Sequence, residues 1–198
     1  MRHIRPFRAW HLLLTGKYEE GLTLSERLPR IAPYDVFFRG ERFGHLRFAR
    51  QFDLALEELA RVREVDPAFT SPVISHLYFG LGRLEEAHRA SIAHLERCGS
   101  RCDASREAQL RGWAEGGWEG SMRASAELLA SIEGFSPNAI ARFYSLAGDT
   151  DEAFAWLEEG YRRREPLMLN VKGQPSFDPL RADPRFDDLV RRIGYPEE

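Results

Sequence analysis

Residues 147–166 read AGDTDEAFAWLEEGYRRREP, and the punctuation of that stretch decides the fold class. Gly148 and Asp149 make a turn, Asp151 and Glu152 put two carboxylates into the first turn of a helix, and a small residue, Ala153, comes next. Ala153, Leu157 and Tyr161 recur at every fourth position, which sets them on one helical face. Upstream, Ile140, Phe143, Tyr144 and Ala147 recur at three and four residues, so a second amphipathic helix precedes the turn. Two helices joined by so short a turn lie antiparallel, and the small Ala153 lets their backbones approach.

The same punctuation returns along the chain. Gly21 follows GKYEE, Ala55 follows RQFDL, Ala87 follows GRLEE and Ser121 follows GWEG; with Ala153 the intervals are 34, 32, 34 and 32 residues. A period of about 34 marks stacked helix-turn-helix repeats. Three places before the small residue stand Tyr18, Phe52, Leu84 and Trp118, with Thr150 the exception. Apolar residues then continue at helical spacing, at Leu28, Leu59, Val62, Leu95 and Leu128, and Pro33 and Pro67 close helices. Glu19, Glu20, Asp53, Glu85, Glu86, Asp151 and Glu152 sit where second helices begin. There they meet the positive end of the helix dipole, worth about 0.3–1 kcal/mol each, a structural role rather than an acid–base one. The expected class is all-α, one domain of about five units (2–35, 36–68, 69–101, 102–134 and 135–166) with a C-terminal cap over 167–198. In the cap, Asp178-Pro179 and Asp183-Pro184 each pair an N-cap residue with a proline suited to the first helical position. They predict a short turn from Pro179 and a helix from Pro184 to about Ile193, stopped by Gly194 and Pro196. Phe186, Leu189, Val190 and Ile193, helped by Phe177 and Leu180, would cover the apolar face of the last helix pair.

The G-x-Y/F/L/W-x-E-A pattern resembles the tetratricopeptide repeat over about residues 5–166. The resemblance implies an α-α superhelix, a short right-handed solenoid in which the first helix of each unit lines a concave groove. Gly21 and Ser121 in place of Ala, Thr150 in place of an aromatic, and the Gly-rich GWAEGGWEG (112–120) depart from the pattern and point to an irregular fourth unit. The run FSPNAIARFYSLAGDTDEAFAWLEEGYRRREP followed by FDPLRADPRFDDLVRRIGYP is similar to the C-terminal repeat region of bacterial multidomain regulators, which carry winged-helix, cyclase or Ser/Thr kinase domains. In the family register Trp10, His45, His76, Leu110 and Arg142 hold equivalent groove positions. Phe7, Arg42, Val73, Glu107 and Ala139 form the neighbouring row, and Leu14, Phe48, Gly80, Ala114 and Leu146 a third. The candidate partner-binding groove is therefore Phe7, Trp10, Arg42, His45, Phe48, His76 and Arg142, apolar at its first end and cationic in its middle. Such a groove suits an extended or helical peptide bearing acidic groups. Pro6 and Trp10 stand where the carboxylate-clamp subset of the family needs a Lys/Asn set, so chaperone-tail binding is not expected.

Composition narrows the rest. A net charge of −3 argues against a dedicated nucleic-acid binder, and no apolar run is long enough to span a membrane. Two cysteines do not make a disulfide framework, and a reducing cytoplasm is the simplest setting. His94, Cys98 and Cys102 read H-x3-C-x3-C, which leaves open a metal site without an evident fourth ligand, a Cys98–Cys102 disulfide, or plain thiols at a helix end, the expected state. No phosphate-binding Gly-rich loop, H-E-x-x-H or G-x-S-x-G occurs, and the six histidines are scattered. Trp113, Gly116, Gly117 and Trp118 fit a staple between repeats better than a ligand-contact loop. The expected function is a non-catalytic adaptor, with no cofactor or metal, that binds a protein or peptide segment or a second copy of itself. The alternative is a sensory domain of a signalling protein holding a small anion near Arg42, His45, His76 and Arg142. An uncovered first unit makes the outer side of residues 5–30, with Trp10 and Leu12, a second expected contact surface.

Overall fold

The structure is a computed structural model and describes residues 6–31 and 33–195. Every regular element among the described residues is helical. In chain order these are α1 (Pro6–Leu14), α2 (Tyr18–Ser25), α3 (Leu28–Ile31), α4 (Val36–Phe48), α5 (Phe52–Val65), α6 (Pro72–Gly80) and α7 (Leu84–Cys98). They continue with α8 (Asp103–Ala130), α9 (Pro137–Ala147), α10 (Thr150–Arg162) and α11 (Pro184–Ile193). Short 3-10 turns occupy Gly99–Cys102, Pro166–Asn170 and Pro175–Leu180. No helix among the described residues is long and apolar enough to cross a membrane.

Local chemistry explains where helices start. Three first helices, α4, α6 and α9, are capped by side chains: Asp35, Ser71 and Ser136 accept from the backbone N–H of Phe37, Val73 and Ala139. Second helices are not. Lys17, Gln51, Arg83 and Asp149 stand at the cap positions without a side-chain bond, and the carboxylates of the first turn face the dipole instead. Two residues before α2, α5, α7 and α10 the backbone turns left-handed, at Gly16, Arg50, Gly82 and Gly148. Three of these are glycine, which adopts that conformation without strain, and the fourth is an arginine.

The aligned small residues Gly21, Ala55, Ala87, Ser121 and Ala153 are all buried. At Gly21 the fit is close enough that an added Cβ would lie 2.9 Å from Leu13 Cγ and 3.2 Å from the Ala9 carbonyl oxygen. The fourth unit is no loose loop. Gly116 and Gly117 leave helical geometry and fold α8 into a hairpin so tight that a Cβ on Gly112 would lie 2.2 Å from the Gly120 carbonyl oxygen. Trp118 then donates from Nε1 to the Leu146 carbonyl at 3.0 Å and stacks on Phe79, while Trp113 stacks on His88 at 4.2 Å.

The main helix–helix contacts join neighbours in the chain: α1 with α2, α4 with α5, α6 with α7, α7 with α8, α8 with α9 and α9 with α10. The core is correspondingly a series of clusters. One gathers Phe43, Leu46, Leu59, Ile74 and Leu77; another holds Trp118, Met122 and Leu146; the last packs Phe177, Leu180, Phe186 and Leu189 against Ala153, Phe154 and Leu157. The segment Pro175–Leu180 breaks the neighbour rule by contacting both α6 and α9.

Two expectations are corrected. The turn read from Pro179 begins at Pro175, with Pro179 inside it, because Asp178 does not cap a helix but accepts from Arg50 and Arg181. Cys98 and Cys102 are not plain thiols: they are joined in a disulfide with Cα atoms 5.8 Å apart, so neither sulfur is a free thiolate for a metal. The turn Gly99–Cys102 brings the end of α7 back on itself and makes the pairing possible.

Candidate functional site

Phe37, Gly40, Glu41, Gly44 and Phe48 fall at spacings of three and four along α4 and so share one face. The two ends of that face have different surroundings. At the C-terminal end, Phe48 is buried beneath the tail: a Cβ added to Gly173 would lie 2.7 Å from the Phe48 ring and 2.9 Å from the Leu13 carbonyl oxygen. Arg50 donates to Asp178 from Nε at 2.9 Å and from Nη2 at 2.6 Å, and from Nη1 to the Tyr18 hydroxyl at 3.2 Å and the Phe48 carbonyl at 3.1 Å. Ser145 Oγ donates to the Ser176 carbonyl at 2.8 Å. Residues 172–180 thus run over α1, α4, α6 and α9. Arg50 reaches its partners from the turn position where the other units have glycine, at φ +61°. Left-handed backbone costs a side-chain-bearing residue roughly 1–2 kcal/mol, which its bonds to the tail offset.

The N-terminal end of the same face is open. A groove of about 460 Å³ lies between Trp10, Phe37, Phe43, Phe69 and Val73, over the flat backbone of Gly40 and Gly44. Phe37 is 59% exposed there. A Cβ at Gly44 would press on the Trp10 ring at 3.2 Å, so glycine keeps the floor low. Trp10 Nε1 donates to Glu41 Oε2 at 2.6 Å, which leaves that carboxylate as the groove's charge.

Of the residues picked out by sequence, Phe7 lies in α1 but its side chain is outside the described residues. Trp10, His45 and Phe48 come together, with Trp10 edge-on to His45 at 4.5 Å and to Phe48 at 5.4 Å. Trp10 is therefore partly covered by α4. His45 is fully buried, its Nδ1 3.0 Å from Ser25 Oγ, and burial, reinforced by Arg42, lowers its pKa to about 4. Arg42 places Nε 3.6 Å from Glu58, a buried carboxylate that also takes Arg39 at 2.9 Å and Arg61 at 3.3 Å. His76 and Arg142 sit elsewhere, beside Arg47. Burial, then Arg142 and Arg47, hold His76 well below the ordinary imidazole range. The four residues read as one anion site thus divide into two groups.

Sequence reasoning passed over Glu41, Arg47, Arg50, Gln174 and Ser176. Arg50 carried a signal, a bulky residue at a glycine turn position; the others carried none, since Arg47, Gln174 and Ser176 depend on where the tail runs and Glu41 on the packing of α1 against α4. Among the described residues two Ser–His contacts exist, Ser25 with His45 and Ser121 with His88 at 3.3 Å, but both serines have no accessible surface from which to attack a substrate. A comparison with protein-family models found no match, and comparisons with curated proteins and with solved structures found none either.

Proposed function

We propose that the chain is a tetratricopeptide-like solenoid that works as a non-catalytic interaction module, holding a partner segment in the groove between Trp10, Phe37, Phe69 and Val73. The repeat reading draws support from the burial of small residues at intervals of 32 and 34 and from contacts that run mainly between chain neighbours. The exposure of Phe37 over a two-glycine floor carries the assignment of the groove, because an aromatic left open beside other aromatics marks a contact surface. Glu41 makes the complementary segment apolar with a neighbouring Arg or Lys. An acid-bearing segment fits less well there: Arg42 faces Glu58, and the acid-bearing segment beside Arg50 is the chain's own, at Asp178.

Selection of peptides from a random library against the whole chain tests this reading. The expected ligands share an aromatic or aliphatic anchor next to a basic residue, and Phe37→Ala weakens them by about tenfold or more without changing the melting temperature. Ligands that are acidic, or that bind Phe37→Ala unchanged, count against it. Sedimentation of the chain alone separates a second copy from a different protein as the occupant.

A further inference from the structure

Between α10 and the tail the chain reads RREPLMLN, residues 163–170, and its 3-10 turn Pro166–Asn170 treats neighbouring apolar residues differently. Met168 is buried, whereas Leu167 is 44% and Leu169 59% exposed. The turn is firmly held. Glu165 accepts from Ser136 Oγ and, at 2.9 Å, from the Asn138 backbone N–H. The Leu167 carbonyl accepts from Asn138 Nδ2 at 3.3 Å, and the Met168 carbonyl from the Tyr195 hydroxyl at 3.1 Å. Met168 seats so closely on α10 that a Cβ on Gly160 would lie 2.8 Å from its Sδ. One exposed leucine means little, because much of any protein surface is apolar. Two on a single tethered turn form a rigid apolar knob, which loses little conformational freedom when it docks.

Arg164 adds a charge to the knob. It stands just past the end of α10 at φ +54°, in the left-handed conformation that helix ends most often give to glycine. Arg50 carries the same backbone cost, and its bonds to Asp178 offset it. For Arg164 that compensation is missing. Its neighbours Arg162 and Arg163 both hold Glu159, while exposed Arg164 forms no ion pair among the described residues. The segment thus presents two leucines and an uncommitted guanidinium to solvent.

The groove beside Phe37 has the complementary features. Its wall is aromatic, with Phe37 as exposed as Leu169; its floor is lowered by Gly40 and Gly44, and its charge is the Glu41 carboxylate. We propose that the groove receives the Arg164–Leu169 turn of a second copy of this chain, with Leu167 and Leu169 against Phe37 and Arg164 towards Glu41. This rests on the reading of the groove as a partner site and names its occupant. Knob and groove are different patches, so the contact is heterologous. It closes into a ring, of which a dimer with both contacts made is the smallest, or continues as an open chain. Leu54, Val65, Leu110 and Ile132 are exposed as well, but none has a second exposed large apolar residue within a turn of it in sequence.

Sedimentation of the full chain over a range of concentrations tests the proposal. The expected result is reversible self-association. Leu169→Asp and Phe37→Ala, both at exposed positions that leave the fold intact, each weaken it by at least about tenfold. Arg164→Gly, which relieves the backbone, weakens it less, and Leu54→Asp leaves it unchanged. Mixed at a concentration where neither associates alone, the Leu169→Asp and Phe37→Ala chains pair one to one, since the first keeps its groove and the second its knob. A wild-type chain that stays monomeric at millimolar concentration overturns the proposal, and so does a mixture of the two variants that fails to pair. Neither result bears on the groove itself: that reading stands if library peptides bind the wild type and lose affinity in Phe37→Ala, and falls if they do not.

Discussion

Phe37 and Phe48 stand on one face of one helix, eleven residues apart, yet Phe37 is 59% exposed and Phe48 only 4%. Neither residue type nor helix geometry separates them. What covers Phe48 is a segment of tail tethered by Arg50 to Asp178, 128 residues away in sequence, and nothing among the described residues covers Phe37 in the same way. In a chain whose main contacts are between neighbours, the state of a shared helix face is decided by a distant segment that reaches back over it. The covered end becomes core and encloses charge; the open end keeps a surface that a partner can use.

If the tail is core rather than ornament, removing its largest buried side chain has the greatest effect. Phe177→Ala, at a position with no exposed surface, is expected to cost about 3–5 kcal/mol in denaturant unfolding. A cost below about 1 kcal/mol would make the tail peripheral. Acid sharpens the comparison from another side. His45, neutral and buried against Ser25 between Arg42 and Glu41, has a folded pKa of about 4 against an ordinary 6.5, so the unfolded chain takes the proton first. Its stabilising contribution is complete above pH 6.5 and is lost as pH falls towards 4, a change on the order of 3 kcal/mol. His76 shifts in the same direction. Denaturant midpoints across that window should fall with pH in the wild type and fall less in His45→Gln; a flat wild-type profile would contradict the burial of both rings.

Arg50 gives a smaller and more diagnostic effect. Arg50→Ala loses the tail tether and keeps the left-handed turn, for a cost of about 1–2 kcal/mol. Arg50→Gly loses the same tether but relieves the backbone, so it should be more stable than the alanine variant by roughly 1 kcal/mol. Equal stability of the two would mean that the φ of +61° at this turn carries no strain. The smallest effect belongs to the open end, where Phe37→Ala should change stability by less than about 0.5 kcal/mol while removing the binding surface.

The parts of the fold that were legible in sequence are the ones decided within a few residues. The starts of α2, α5, α7 and α10 follow from a turn residue and the carboxylates after it, and α11 from Asp183-Pro184 at one end and Gly194 at the other. Trp113 and Trp118 were legible as staples for another reason: large aromatic side chains beside a glycine hinge have to pack on neighbouring units, as they do on His88 and at Leu146. Burial of His45 and of the Arg142 Nε was not legible, because a groove register says which way a side chain points and not what lies over it. The same holds for Asp178-Pro179, which has the composition of a cap and instead receives Arg50. Cys98 and Cys102 left three chemistries open because spacing alone does not choose between them. Arg50 was the visible anomaly, an arginine in line with Gly16, Gly82 and Gly148, and its meaning required the partner at the far end of the chain.

Native-state hydrogen exchange at the amides of Gln174 and Phe177 probes the reach of the tail most directly, since these donate to the Asn170 and Gln174 carbonyls at 2.9 and 3.1 Å. If the tail folds with the helices it crosses, both amides open with a free energy within about 1 kcal/mol of the amides of α9 and α10. Exchange at the rate of an unstructured peptide, with α9 and α10 still protected, would contradict it.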